Sequence, residues 1–385
     1  MAVTVRLPVI GAIRLCGSAL AAMACAAGAF GCSTREERNM PSIRETVIAS
    51  EISCPSCSVV VDTVVTLENV ELSPRPGAIA WDPAGVFYVV DRSDGLLKAF
   101  GADGRFVRQI GRQGGGPGEY EMIRNVMVGP DGSIHVLDGV LGRHTVFSRE
   151  GNVVKTTRVP VTPAIAMSAA LWPDGRLAVN STGSPVGATG AVPTVHLIDT
   201  DGNVVRSVEV VPLDQRAQWR QWRHLWVRRD GTLLVARPYS LTIEVYDRDF
   251  SKIASISRRA GWFPSQEPQS RPSDGVFDEP FTPLLNGLWE DAGGLLWLQV
   301  MVPSRLWTPR RREARLDERT YSELAERPRI DVIIEVLDLE RGRVVAHSRF
   351  EGPLGAPFGG GFLANPGEGK GGEPAILISR VTLNR

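Results

Sequence analysis

The 385-residue chain is poor in the residues that usually announce chemistry, with five cysteines and five histidines. His135, His144, His196, His224 and His347 show no metal-ligand spacing, and no Gly-x-Ser-x-Gly nucleophile elbow occurs. Net charge is absent as well: 43 lysines and arginines stand against 43 aspartates and glutamates, which argues against nucleic acid or an anionic membrane surface as a general partner. Cys54-Pro-Ser-Cys57 has no second Cys-x-x-Cys and no surrounding βαβ pattern, and Ser58 excludes the haem-attachment signature. The glycine-rich Gly114 to Gly118 is followed by neither a helix pattern nor Lys-Ser/Thr, so it is no phosphate cradle. No cofactor is expected from these absences.

What the chain does contain is a recurring turn. Asp82-Pro-Ala-Gly85, Gly129-Pro-Asp-Gly132, Trp172-Pro-Asp-Gly175, Arg228-Arg-Asp-Gly231 and Glu290-Asp-Ala-Gly293 each precede an apolar, β-branched-rich run. A second tight turn follows downstream, as in Phe100 to Gly104, Phe147 to Gly151, Ile198 to Gly202, Tyr246 to Phe250 and Leu337 to Gly342. Asp-Gly and its relatives supply the positive φ of tight hairpins, so each unit reads as four antiparallel strands. The first three intervals between turn glycines are 47, 43 and 56 residues, the period of propeller blades. Five blades are visible. A sixth comes from Phe358 to Phe362 and Ala375 to Leu383 if the run Val59 to Leu67 supplies its outermost strand. The expected fold is therefore an all-β, six-bladed propeller closed by an N-terminal strand, with a seven-bladed ring or an open sandwich as alternatives.

Residues 1–31 carry Arg6 and Arg14, no acids, and a run of small apolar residues, which reads as a secretory signal. Ala29-Phe-Gly-Cys32-Ser33 resembles a bacterial lipoprotein processing site, with Ala29 and Phe30 in place of the usual leucine and small residue. Lipidation is expected at Cys32. Loss of the signal removes Cys16 and Cys25, so a lipidated Cys32 leaves Cys54 and Cys57 as an even pair, read as a short disulfide, with a redox or half-zinc site as alternatives. Residues 32–57 then form a flexible tether from lipid to a propeller spanning 58–385. The mature chain, with 41 basic and 43 acidic residues, stays nearly neutral.

The stretch Val107-Arg-Gln-Ile-Gly-Arg-Gln-Gly-Gly-Gly-Pro-Gly-Glu-Tyr120, continued by Val126-Met-Val-Gly-Pro-Asp-Gly-Ser-Ile-His-Val-Leu-Asp138 and Phe147-x-x-x-Gly151, resembles the bacterial six-bladed β-propeller lipoproteins, relatives of the NHL-repeat and TolB-like propellers. The resemblance covers about residues 54–155. It implies fold and an extracytoplasmic, lipid-anchored location, in periplasm, at the outer membrane or on the cell surface, more than any chemistry. Arg124-Asn125 departs from the family, whose members often have a proline there.

In a propeller blade the strands run a, b, c, d from axis to rim. The Asp-Gly turns fall on the a-to-b and c-to-d side, and every long connection falls on the other. Long connections carry function more often than tight turns do. The candidate ligand residues on that face are Arg112, Glu119, Tyr120, Arg124, Asn125, Trp222, His224, Arg237 and Arg310, the last within a charged insertion at 302–331 that reads as a helix-forming lid or as a solvated cover. Trp226 is expected in the core. The leading expectation is a binding scaffold for a protein, peptide or glycan. The alternative, a metal-dependent lactonase-like or hydrolase-like enzyme, would hold a divalent ion in the channel through Glu119, Asn125, Asn286 and Asp138.

Overall fold

Two strands precede the first blade in this computed structural model, β1 (Arg44–Ile48) and β2 (Ser58–Leu67). The described residues are 43–48, 51–68, 72–73, 76–160, 166–181, 190–212, 219–264, 280–307 and 330–385, all within a unit that runs from Ser42 to Arg385. Blade 1 is built from β3 (Ile79–Asp82), β4 (Val86–Val90), β5 (Leu97–Phe100) and β6 (Phe106–Ile110). A two-stranded excursion, β7 (Arg112–Gln113) and β8 (Glu119–Tyr120), leads to blade 2: β9 (Ile123–Val128), β10 (Ile134–Asp138), β11 (Arg143–Phe147) and β12 (Val153–Arg158). Blade 3 holds β13 (Ala166–Leu171), β14 (Leu177–Ser181), β15 (Ala191–Ile198) and β16 (Val204–Pro212). Blade 4 holds β17 (His224–Val227), β18 (Leu233–Ala236), β19 (Thr242–Tyr246) and β20 (Lys252–Arg258). Blade 5 holds β21 (Leu284–Glu290), β22 (Leu296–Pro303), β23 (Ile330–Asp338) and β24 (Arg343–Phe350). In blade 6, β25 (Pro357–Phe358), β26 (Phe362–Glu368) and β27 (Pro374–Asn384) are completed on the outside by β2, which pairs antiparallel with β27 from Ser58↔Asn384 to Leu67↔Ile376.

The turn chemistry explains the hairpins locally. Gly85, Gly132, Gly175 and Gly231 have φ of 92°, 80°, 88° and 85°, values that a side chain would strain. In the fifth turn the positive φ is taken by Gly294, one residue later than the sequence pattern places it. The aspartates hold the turns closed: the Oδ1 of Asp131, Asp174, Asp230 and Asp291 each accepts the N–H two residues on, at 2.8–3.2 Å. Phe250 sits at a second turn where the other five blades have a positive-φ glycine, and its own φ is 59°. Its strain is offset by burial, because its ring packs between Trp172 and Tyr246.

Packing follows from the radial layout. The b and c strands have a neighbouring blade on each side, so β4, β5, β10, β14 and β18 are buried nearly throughout, whereas the rim strands β6 and β12 are mostly exposed. Apolar residues accordingly gather in clusters between blades: 1 with 2, 2 with 3, 3 with 4, 4 with 5, 5 with 6, and 6 with 1. The sixth of these joins Leu67 of β2 to Phe87, Val89 and Phe100 of blade 1, which closes the ring.

Two expectations need correction. Phe358 to Phe362 is not a strand but the a-to-b turn of blade 6, made by Gly359, Gly360 and Gly361 with φ of 52°, 80° and 109°. The stretch expected as a tether is structured where it is described. There β1 lies parallel to β20 as a fifth strand of blade 4, and Ile48 is fully buried between blades 4 and 5. Ile52 bridges to Val344 on β24, and Ser53 donates to the Val344 carbonyl through N–H and Oγ at 2.8 and 2.9 Å. Cys54 and Cys57 are joined by a disulfide that packs against the blade 5–6 core, and the Val59 N–H donates to Ser348 Oγ at 3.1 Å. The chain thus runs along the outer edges of blades 4, 5 and 6 before closing the ring. Five residues of strand are too few for β1 to show a period in the sequence.

Closure by β2 predicts an asymmetry within that strand. Leu67→Ala should lower unfolding free energy by about 2–5 kcal/mol, the cost of a large-to-small change at a buried site. Val64→Ala, at a position 51% exposed, should cost under about 1 kcal/mol. Equal urea midpoints for the two variants would contradict ring closure through the β2 side chains.

Candidate functional site

The glycine-rich connection from blade 1 to blade 2 is a joint. β7 and β8 pair in parallel, Arg112 with Glu119 and Gln113 with Tyr120. The Glu119 carboxylate accepts the Gly116 N–H at 2.7 Å and both Nε and Nη2 of Arg112 at 2.8 Å; these bonds hold its pKa below the ordinary carboxylate value. Arg143 donates to the carbonyls of Gly115 and Gly116 at 3.0 Å and to that of Glu119. Tyr120 is buried, donates to the Ile110 carbonyl at 2.7 Å and accepts the Leu97 N–H at 3.0 Å; burial first, then Asp94, pushes its pKa up to about 12. Of the candidates here, Tyr120 is core and corrects the sequence expectation, and Arg112 and Glu119 satisfy each other. Arg124 is exposed, while Asn125 faces inward at the channel. Asp138 caps its turn, accepting the N–H groups of Glu121, Val140 and Leu141 at 2.6, 2.8 and 2.9 Å.

A second group forms where blade 3 meets blade 4 on the same face. Glu209 on β16 has φ 57°, a strained value for a residue with a side chain, and this turns its carboxylate inward. Tyr246 Oη donates to it at 2.7 Å, Arg223 Nε at 3.2 Å, and Arg237 Nη2 lies 3.5 Å away. Burial works to raise the Glu209 pKa, but the Tyr246 hydroxyl and the two guanidiniums hold it below the ordinary range. Trp219 is buried edge-on against Tyr239, Trp222 packs beside them, and Arg220 lies over the Trp219 ring at 5.2 Å. Arg237 is half-exposed and so presents its guanidinium at the surface. His224 donates from Nε2 to the Leu285 carbonyl at 2.8 Å, and burial lowers its pKa. Arg310 and the core of the 302–331 insertion lie outside the described residues.

Sequence reading gave no sign of Glu209, because a positive φ at a residue other than glycine has no residue signature. It also missed a cavity of about 660 Å³ on the tight-turn face between blades 2 and 3. There Ser133 Oγ–H donates to Asp131 at 2.6 Å, His135 Nε2–H donates to Ser133 Oγ at 3.0 Å, and His144 Nε2–H donates to His135 Nδ1 at 3.0 Å. The direction of this chain follows from the carboxylate, which only accepts.

The oxygen ligands expected of a channel metal do not converge. Asn125 and Asn286 line the channel, but Glu119 is held in its joint and Asp138 in its cap. Asn286 also donates to Gln299 Oε1 at 2.7 Å. A hard divalent cation takes six or more oxygen ligands, carboxylates among them. Among the described residues no group of three or more His, Cys, Asp or Glu is placed to hold a metal, and the channel residues do not fit one.

Six blades with sequence-adjacent hairpins around a channel make this chain a six-bladed β-propeller. Residues 66–206 match the model of a protein family described as 6-bladed beta-propeller. A Bacteroides fragilis protein described as a candidate exported protein superposes with a TM-score of 0.56 at 13% identity, covering 89% of this chain and 100% of that one. A DUF4221-family member from Bacteroides vulgatus superposes with a TM-score of 0.57 at 9% identity, covering 85% and 97%. At these identities the likeness is one of fold. No curated protein matches the chain.

The buried imidazoles set a pH dependence. Burial lowers the pKa of His144 to about 3 and of His196 to about 4, from an ordinary 6.5, and lowers that of His135 too. Each is neutral when folded and free to protonate when unfolded, so its contribution is complete above pH 6.5 and is lost as pH falls toward the folded value. The urea midpoint should therefore drop between about pH 7 and 5, before the carboxylates titrate, and a His144→Gln, His196→Gln double variant should show a flatter profile in that window. An unchanged slope in the double variant would exclude these histidines as its source.

Proposed function

We propose that the protein is an extracytoplasmic binding scaffold, anchored by a lipid on Cys32, that presents its loop-rich face to a protein, peptide or glycan. The carrying observation is the distribution of chain. The a-to-b and c-to-d turns are short where they are described and share one face, while the joint at 111–122 and the described ends of the segments that bracket 213–218, 265–279 and 308–329 lie on the other, together with the short turns after Asp91 and Asp138. Exposed Arg124 and half-exposed Arg237, with Trp222 beside the Trp219–Tyr239 pair, supply the cationic and aromatic character that recognition surfaces favour. Location is supported by the signal-like residues 1–31 and by the description of the Bacteroides fragilis protein of similar fold.

Two measurements test the two halves of this reading. Cys32→Ala should move the protein from the membrane fraction to the soluble extracytoplasmic fraction, and unchanged membrane association would refute the anchor. Arg124→Glu combined with Arg310→Glu should weaken partner binding while shifting the melting temperature little, as surface changes usually do. Asp103→Lys with Asp201→Lys, on the tight-turn face, should leave binding intact. The reverse outcome would place the partner on the wrong face for this proposal.

A further inference from the structure

The inner strands β3, β9, β13, β17, β21 and β25 enclose a channel cavity of about 370 Å³ whose chemistry differs from that of either face. The described residues that line it include no aspartate, glutamate, lysine or arginine. Its wall is also graded. Blades 2, 3, 4 and 5 contribute Asn125, Ser168, His224 and Asn286, with Trp226 beside His224, and the arc from blades 6 and 1 contributes Phe358 and Trp81. All seven are half-buried.

The polar arc retains hydrogen-bonding capacity after its internal partners are counted. Ser168 Oγ accepts the Leu225 N–H at 3.2 Å, which leaves its O–H to donate. His224 donates from Nε2 to Leu285, so the neutral ring keeps Nδ1 as an acceptor. Asn286 uses Nδ2 on Gln299, which leaves Oδ1. The aromatic arc is held rigid from behind, because Phe358 stacks on Phe362 with centroids 5.9 Å apart and Trp81 packs on the same ring at 4.9 Å.

A charged ligand would lose hydration here and find no counter-charge among the described lining residues, which disfavours its binding. A purely apolar ligand would leave the polar arc without partners. A cavity of this size whose lining combines aromatic faces with several placed polar groups suits a small molecule that is itself part polar. We propose that the channel is a binding site, separate from the loop-rich face, for an uncharged hydroxylated ring compound of about monosaccharide size. One ring face would lie against Trp81 and Phe358, and its hydroxyls would meet Ser168, His224 and Asn286.

Titration calorimetry on the whole protein tests this with galactose and N-acetylglucosamine as neutral probes and glucuronate as the charged counterpart. Saturable binding of at least one neutral sugar is expected, at least about tenfold tighter than glucuronate. Ala169→Phe, which fills the channel beside Ser168, should abolish it, and Asn286→Ala should weaken it about tenfold, with circular dichroism reporting that each variant keeps its β-structure. No binding of either neutral sugar overturns the proposal. So does glucuronate binding as tightly, or full affinity in a folded channel variant. Because the loop-face charge reversals do not touch the channel, failure here leaves the scaffold reading standing, and the converse holds too.

Discussion

A propeller has no central core; its stability resides in the interfaces between neighbouring blades, and each blade is competent only when both neighbours are present. Here those interfaces are apolar clusters, and the one between blades 6 and 1 depends on a strand from the opposite end of the chain. Leu67 carries this dependence physically. It is fully buried, and without β2 the outer edge of β27 and the flanks of Phe87 and Phe100 would meet water. Closing contacts far apart in sequence costs chain entropy that only the completed ring repays. The path of the N-terminal segment across blades 4, 5 and 6 shortens that search, because β1, Ile52 and the Cys54–Cys57 turn guide β2 to its place.

Polar contacts reinforce the same interfaces on the tight-turn face. Arg228 of blade 4 binds Glu290 of blade 5 through Nε and Nη2 at 2.9 and 2.6 Å. Trp172 of blade 3 donates its indole N–H to the Gly231 carbonyl of blade 4, and Lys155 of blade 2 reaches Thr200 and Asp201 of blade 3. Deeper in, Arg258 and Glu335 form a buried bidentate pair between blades 4 and 5, with His347 Nδ1 as the third partner of the carboxylate. Buried pairs of this kind add little net stability over an apolar equivalent, but breaking one strands a charge, so they fix which blade sits against which. The tight-turn face is thus laced together by short-range bonds. On the other face the bonds of Arg143 to the joint and the Glu209–Arg223–Tyr246 group tie blade 1 to 2 and blade 3 to 4, while the described lining of the channel stays free of charge.

The two candidate regions differ in how they could be found. The hairpins were legible because Asp-Gly chemistry is local: an aspartate that caps its own turn and a glycine that accepts φ near 85° act within four residues. The segregation of long connections to one face followed from hairpin order alone. Tyr120 shows where local reading fails. Its neighbours suggest an exposed turn, yet the hydroxyl reaches back to Ile110 and Leu97 on blade 1, partners set by the docking of two blades. Glu209 is the opposite failure, an unremarkable strand residue made distinctive by a backbone irregularity and by Tyr246 and Arg223 from the next blade.

By itself the sequence determined the unit of construction and five of its repeats, with Val59 to Leu67 as the candidate outer strand of a sixth, because these rest on turn chemistry and strand patterning within ten or so residues. Only the tertiary structure decided that β1 extends blade 4, that Arg112 and Glu119 neutralise each other, and that Ser168, His224 and Asn286 share one wall of an uncharged channel opposite Trp81 and Phe358. These last are relations between blades. The channel wall and the β1 pairing depend on the angle and register at which separate sheets pack, and residues fifty or more positions apart carry no local trace of that geometry.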